Sequence, residues 1–372
     1  MKLLLALFLG LHGAIHLLGA AKGFRLAALP QLTRPISPVG AGLWLAAGTL
    51  FMTAAGLLFV WPRNWWIAAA VALPLSMLAI SSSWADAKVG ALANLLVLVT
   101  VAYGFQVSGP FSLRTAYDHD VASGLARLAP DQPIAESDLM AVPPPVQRFI
   151  RASGAVGRPR VTNFRARMHG RIRSGPRDPW MPFTAEQHNF FDEVSRFFYM
   201  DASRGLVPFQ VFHRYAGSAA SMQVKVAGLV TVQASSGDAM TRAETVTLLN
   251  DMCLLAPATL LSPAVTWEMV DELSVRAGFT NAGQPIRADL VFNAVGDLVD
   301  FRSDDRGRAS TDGRTLENLP WSTPLGAFRS SGGRRLPAGG EARWHDATGE
   351  YAYIEMEIDE VNYNLRGSTL IR

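Results

Sequence analysis

Acidic residues are almost absent from the first 108 positions of this chain, where Asp86 stands alone. The other 30 of its 31 acids lie in the remaining 264 residues. The acid-poor part holds four long apolar stretches: Leu3 to Ala21, Val39 to Trp61, Trp65 to Ser83 and Gly90 to Val107. A membrane-crossing helix needs about 20 mostly apolar residues, so each stretch reads as one span. Pro74 interrupts the third, which a membrane helix tolerates as a kink. Trp61, Trp65, Trp66 and Trp84 fall at the expected ends, where amphipathic rings favour the headgroup level. The chain is therefore expected to be a four-span membrane bundle (1–108), a linker (109–142) and a water-soluble domain (143–372).

Charge supports this division. The first part carries Lys2, Lys22, Arg25, Arg34, Arg63 and Lys88 against Asp86. The second is close to balanced, with bases interleaved among acids, so the high pI of 9.2 marks juxtamembrane bases rather than a nucleic-acid surface. The first and third loops together hold four bases and the second loop and N-terminus two. That asymmetry places the former in the cytoplasm. The large domain is then expected outside a bacterial inner membrane, in the periplasm or at the exterior. Gly19-Ala20-Ala21 also resembles a signal cleavage site, but two histidines inside the first stretch and three further spans argue for a retained helix.

His12 and His16 lie four residues apart on one helix face. The end of the first span and the loop between the third and fourth lie on one membrane side, so His16 is expected near Ser81, Ser82, Ser83, Asp86 or Lys88, with Asn94 a turn further in. Such a cluster could bind a divalent metal, relay protons or hydrogen-bond the bundle together; the last is the simplest. Spans two to four contain no histidine for a second haem ligand, and no cofactor or metal is expected.

In the second part, Pro143-Pro144-Pro145 opens a short helix at 145–153 that ends at Gly154. Beyond Gly157 the apolar period changes to two. About a dozen strands follow, among them Val161–Arg173, Ser221–Gln233, Leu298–Ser303 and Gly326–Arg329. Asn281-Ala-Gly283 and Ala294-Val-Gly-Asp297 are hairpin turns. This pattern predicts a meandering antiparallel sheet. One segment breaks it. Thr241-Arg-Ala-Glu244 is a capping-box signature, and the run to Pro257 is apolar nearly all round. A buried helix at 242–256, held by the concave face of a curved half-barrel sheet, is the expectation.

Asn250 and Asp251 are the polar exceptions on that helix. With Glu244 they need buried partners, for which Arg242 and Arg287 are candidates. Strand backbone is a third candidate partner, and the three polar groups read either as structural staples or, together with Trp321, as the lining of a ligand pocket. Asp304 and Asp305 could act as acid and base or bind a cation; as a solvated turn they would pair with Arg302 and Arg306. Cys253, the sole cysteine, reads as buried and inert. No nucleotide-binding loop, metalloprotease motif or paired cysteine motif is present.

Two stretches, ProProProValGlnArgPheIleArgAlaSerGlyAlaValGly (143–157) and ArgAlaGluThrValThrLeuLeuAsnAspMetCysLeuLeuAlaPro (242–257), stand beside SerTrpAlaAspAlaLys (83–88). Together they resemble a bacterial membrane-protein family of unknown function with four N-terminal spans. The strands–helix–strands order is also similar to the lipoprotein-carrier fold, a curved antiparallel sheet wrapped around helices. The resemblance implies no activity. Three expectations follow: a domain binding a lipid, lipoprotein or other apolar ligand; a membrane-tethered hydrolase using Asp304, Asp305 or Glu244; or an envelope scaffold.

Overall fold

The computed structural model describes residues 2–127, 132–310, 315–331, 333–347 and 349–367. Pro130 and the terminal residues 368–372, assigned above to the linker and soluble domain, lie outside the described residues. The chain divides into two compact units, Met1–Thr115 and Ala116–Arg372.

The first unit contains α1 (Lys2–Gly23), α2 (Pro38–Val60), α3 (Trp65–Ser82), the single turn α4 (Trp84–Ala87) and α5 (Gly90–Ser108). Four of its helices are long and apolar enough to cross a membrane. Ser37 caps α2 by accepting from the Gly40 amide, with Pro38 in the first turn, the position proline suits best. Small residues set the α1–α2 approach. A Cβ on Gly13 would lie 2.9 Å from the Gly48 carbonyl oxygen, and one on Gly48 would lie 2.9 Å from that of Gly13.

The boundary between the units falls in α6 (Leu113–Leu125). This part of the linker, expected as a short helical or irregular connector, is helical and packed. The Tyr117 hydroxyl lies 2.7 Å from His188 Nδ1, and Arg214 donates to Asp120 at 2.7 Å. The helix α7 (Pro144–Ala152) buries Val146, Phe149 and Ile150, within a residue of the expected span.

Next comes a meander of β1 (Asn163–Ile172), β2 (Met181–Phe190), β3 (Ser195–Arg204), β4 (Val207–Ala216), β5 (Ala219–Val226) and β6 (Val230–Ser236). The single strand expected at Ser221–Gln233 is broken at Ala227 and Gly228. Both have positive φ, 52° and 71°, which a two-residue hairpin turn requires. Then come α8 (Asp238–Leu255), β7 (Val265–Met269), β8 (Ser274–Asn281), β9 (Gln284–Phe292) and β10 (Leu298–Ser303). The short strands β11 (Gly307–Ala309), β12 (Leu316–Asn318), β13 (Trp321–Ser322), β14 (Phe328–Ser331) and β15 (Arg334–Pro337) precede β16 (Gly339–Asp346) and β17 (Gly349–Tyr363). The strand expected at Gly326–Arg329 is β14, and it pairs with β15 in a separate hairpin.

Thirteen strands form one antiparallel sheet in the order β6-β5-β4-β3-β2-β1-β17-β16-β13-β10-β9-β8-β7. It is open, with β6 and β7 as edges. It is also strongly curled. β4 and β8 stand nine places apart in that order, about 43 Å in a flat sheet at about 4.8 Å per strand. Yet Asn281 on β8 donates to the Tyr215 hydroxyl on β4 at 2.7 Å. Between these two strands sits α8, and the Tyr215 hydroxyl also lies 2.9 Å from Thr245 Oγ1 on it.

Helix α8 starts four residues before the expected position. Gly237, at φ 87°, is its N-cap, and the supposed capping residue Thr241 lies inside the helix. The Thr241 hydroxyl donates to the Gly237 carbonyl and accepts from the Ala220 amide of β5. At the other end the Tyr363 hydroxyl donates to the Leu255 carbonyl at 2.6 Å, satisfying one of the acceptors a helix terminus leaves open. The apolar residues of α8, including Leu248, Leu249 and Cys253, form the centre of the core with the inward side chains of the sheet.

Candidate functional site

Every second residue of a strand faces the same side. On β2 the inward series runs Phe183, Ala185, Gln187, Asn189, and on β3 it starts at Arg196 and continues Phe198, Met200. The apolar series thus turns polar where it meets Glu244 and Asp251 of α8. Arg196 joins them. Its Nε donates to Asp251 Oδ2 at 2.6 Å and its Nη1 to Glu244 Oε2 at 2.9 Å. Asp251 Oδ2 also accepts from Gln187 at 2.7 Å and Asn189 at 3.2 Å. Glu244 Oε1 lies 3.0 Å from His213 Nδ1 and 3.7 Å from Arg306. Arg196, Glu244 and Asp251 are all buried. Two guanidinium groups therefore balance two carboxylates within the core.

Burial alone would raise the Glu244 carboxyl. His213, Arg196 and Arg306 outweigh it and hold Glu244 below its ordinary 4.5. Burial dominates at Asp251 and pushes it above its usual value despite Arg196. The two carboxyls act oppositely on acid stability. For Glu244, whose folded value is depressed, the contribution is present above about pH 4.5 and lost as pH falls below it. Replacing Glu244 with glutamine is thus expected to flatten the acid limb of a pH–stability curve, measured by thermal unfolding from pH 7 to pH 3. An unchanged limb would rule out the assigned role.

The partners differ from those the sequence suggested. Arg242 pairs with Asp305, not with Glu244 or Asp251. Asp305 also accepts from the Arg287 amide at 2.8 Å. Arg302 pairs with Asp300 and Arg306 faces Glu244, so neither serves the Ser303–Arg306 turn as expected. Asp304 is exposed. Asn250 donates to Thr323 Oγ1 at 2.7 Å. Trp321 is buried beside the cluster, donating to the Tyr353 hydroxyl at 3.2 Å, with the Arg306 guanidinium 5.6 Å from its ring. Cys253 is buried, and burial pushes its thiol up. Arg196, Gln187 and Asn189 went unnoticed in the sequence, and neither His213 nor Arg306 was placed with Glu244, although the polar pair Gln187 and Asn189 at inward spacing was a visible signal.

The apolar helices hold a second polar network. His12 Nε2 lies 2.9 Å from Asn94 Oδ1. His16 Nδ1 donates to the His12 carbonyl at 2.9 Å, and its Nε2 lies 2.8 Å from Ser76 Oγ. The Ser76 hydroxyl donates to Asn94 Oδ1 at 2.9 Å. Asp86 and Lys88 do not join. Asp86 instead accepts from Thr33 Oγ1 at 2.7 Å and the Arg34 amide at 2.8 Å. Those two donors hold its carboxyl below the usual range. Lys88, Ser81 and Ser82 are exposed. Two histidines and Asp86, the arrangement a divalent metal would have needed, are therefore not brought together; the histidines hydrogen-bond across the helices instead, and Ser76 takes the place given to the serines of the loop. Replacing Asn94 with leucine removes the shared acceptor. The expected cost is about 0.6–1.7 kcal/mol, the range of interhelical hydrogen bonds in bilayers, read as a lower unfolding midpoint in detergent.

The class of protein is thus an open, curled antiparallel sheet packed on a buried helix, preceded in the chain by four apolar helices. It belongs to DUF6544, a family of unknown function, which it matches over residues 132–356. No curated protein matches it by sequence. Among solved structures, it is similar to a domain described as an outer membrane lipoprotein-sorting protein from Vibrio parahaemolyticus. That match has 9% identity, covers 56% of this chain and 87% of that one, and has a TM-score of 0.35. A LolA superfamily protein from Nitrosomonas europaea gives 11%, 62% and 94%, with a TM-score of 0.34. A DUF1329 family protein from Desulfovibrio piger gives 10%, 63% and 95%, with a TM-score of 0.33.

Proposed function

We propose that this chain is a bacterial inner-membrane protein whose exported β domain binds the apolar chain of a lipid, lipoprotein or similar ligand. The supporting observation is the uneven cover of the concave face. Along β4 and β5 the inward pairs are Tyr215–Ala220, His213–Met222, Val211–Val224 and Phe209–Val226. Tyr215 and Ala220 are sealed beneath α8. Phe209, Val211, Val224 and Val226 are only half-buried. The helix therefore covers one end of the concave face and leaves a partly exposed aliphatic and aromatic stretch at the other, the proposed trough. Each ligand methylene buried there contributes about 0.8 kcal/mol. The cluster of Arg196 and Arg306 with Glu244 and Asp251 fixes α8 as the inner wall of the trough. Both Glu244 oxygens carry partners, Asp304 is exposed and Asp305 is held by Arg242. That arrangement suits support of a binding face better than acid–base chemistry.

The test is native mass spectrometry and lipid extraction on the full chain purified in mild detergent. Wild type is expected to retain an acyl-chain lipid. Val211→Asp, which sets a charge on the trough floor, is expected to lose it by about tenfold or more, with the near-ultraviolet circular dichroism unchanged. Equal lipid content in the two folded proteins would defeat the reading.

A further inference from the structure

From Ala202 to Gly237 the chain carries no aspartate or glutamate, but it does carry Arg204, Arg214 and Lys225. Arg214 is spent on Asp120. Arg204 and Lys225 flank two hairpin turns at the same end of the sheet. The β3–β4 turn places Gly205 at φ 61° and Leu206 at the tip, and the β5–β6 turn uses Ala227 and Gly228 and then Leu229. The Ala227 amide donates to the Pro208 carbonyl at 2.9 Å, which fixes the two tips side by side. Together they present Leu206 (79% exposed), Leu229 (60%) and Val230 (60%), with Val207 and Val232 also exposed. Clustered exposed aliphatics mark an interaction site. Here the rim is cationic and the local sequence holds no acid to neutralise it.

We propose that these two hairpin tips form a docking surface for an anionic lipid bilayer, with the aliphatic side chains entering the interface and Arg204 and Lys225 meeting lipid phosphates. Charge selects this occupant: apolar side chains beside bases are the combination that favours the headgroup boundary of acidic membranes. A second copy of the chain would bring the same bases against each other. The docking stands on the tips alone. Under the acyl-chain reading it adds that the trough opens at the bilayer, since Val207 and Val230 continue the inward rows of β4 and β6 toward the tips.

The experiment uses the full chain in proteoliposomes of neutral lipid, with and without phosphatidylglycerol. Cys253 is buried, so an environment-sensitive label can be placed singly at Leu206→Cys or Leu229→Cys. Ser218→Cys, on the exposed β4–β5 turn at the opposite end, is the control. On anionic vesicles the labels at 206 and 229 are expected to shift to the blue and to be quenched by a lipid-borne quencher, while that at 218 stays open to aqueous iodide. Arg204→Gln and Lys225→Gln are each expected to lower the docked-to-free ratio about fivefold, the change corresponding to ~1 kcal/mol per base. Three results would overturn the proposal: iodide quenching at 206 and 229 equal to that at 218; shielding from both quenchers, the mark of a second copy; or lipid quenching indifferent to anionic lipid. None of these readouts depends on a bound ligand, so failure here is distinguishable from failure of the acyl-chain reading.

Discussion

Replacing Arg196 with methionine is expected to destabilise the β domain by about 3–5 kcal/mol, the cost of leaving buried carboxylates without their cation. Among the described residues, Arg196 is the one side chain hydrogen-bonded to both Glu244 and Asp251. Both are buried on a helix that also carries the apolar core, so water cannot take over its role without opening the sheet. For a unit of this size each kcal/mol moves the midpoint by about 2–4 °C, and a fall of roughly 6–20 °C in thermal unfolding is the readout. The converse variant decides the mechanism. Changing Arg196 to methionine with Glu244 and Asp251 both to leucine removes the charges together, and such replacements are often neutral. Recovery should nevertheless be incomplete, because the Arg306 side chain, 11% exposed, then loses Glu244. If the triple variant is as unstable as the single one, the loss comes from packing rather than from uncompensated charge.

The legibility of this cluster in the sequence was one-sided. Glu244, Asn250 and Asp251 stood out because they interrupt an apolar helix, and local pattern alone shows that. Their partners lie on β2, β3 and β4 and beyond β10, and which strand residues face a helix depends on sheet register, a non-local property. Arg242 was the natural guess for proximity in sequence, yet its position in the helix directs it to Asp305. The same distinction explains the turns. Ala282 and Gly283, both at positive φ, close β8–β9 as Asn281-Ala-Gly283 suggested. The turn at Ala227-Gly228 was missed because aliphatic residues surround it without the usual polar punctuation. In the apolar helices the histidine pair was visible and Asp86 was the obvious partner, as the lone acid nearby. Ser76 is a common small residue in an apolar stretch, and only helix packing shows that it faces His16.

Packing of the first unit turns on two glycines three residues apart that should respond with opposite sign. Gly13 lies where α1 crosses α2. A Cβ there meets the Gly48 carbonyl oxygen at 2.9 Å, Met52 Cγ at 3.1 Å and the Met52 amide nitrogen at 3.2 Å. Two of these three are backbone atoms, which move only if the helices separate. Gly10 meets nothing within 4 Å. Gly13→Ala is therefore expected to cost about 1–3 kcal/mol, and Gly13→Leu at least the top of that overpacking range. Separation of α1 from α2 would also withdraw His12 and His16 from Phe51 and Trp44, which they now touch at ring-centroid distances of 4.8 and 4.9 Å. Gly10→Ala has no such clash and replaces the residue with the greatest helix entropy cost, so a gain of up to about 1 kcal/mol is expected. The fraction of full-length protein that survives heating in detergent, followed by size exclusion, measures both. Equal losses at the two positions would show that glycine acts here through helix flexibility; a loss at Gly13 alone would assign it to the close crossing that holds the histidine network in register.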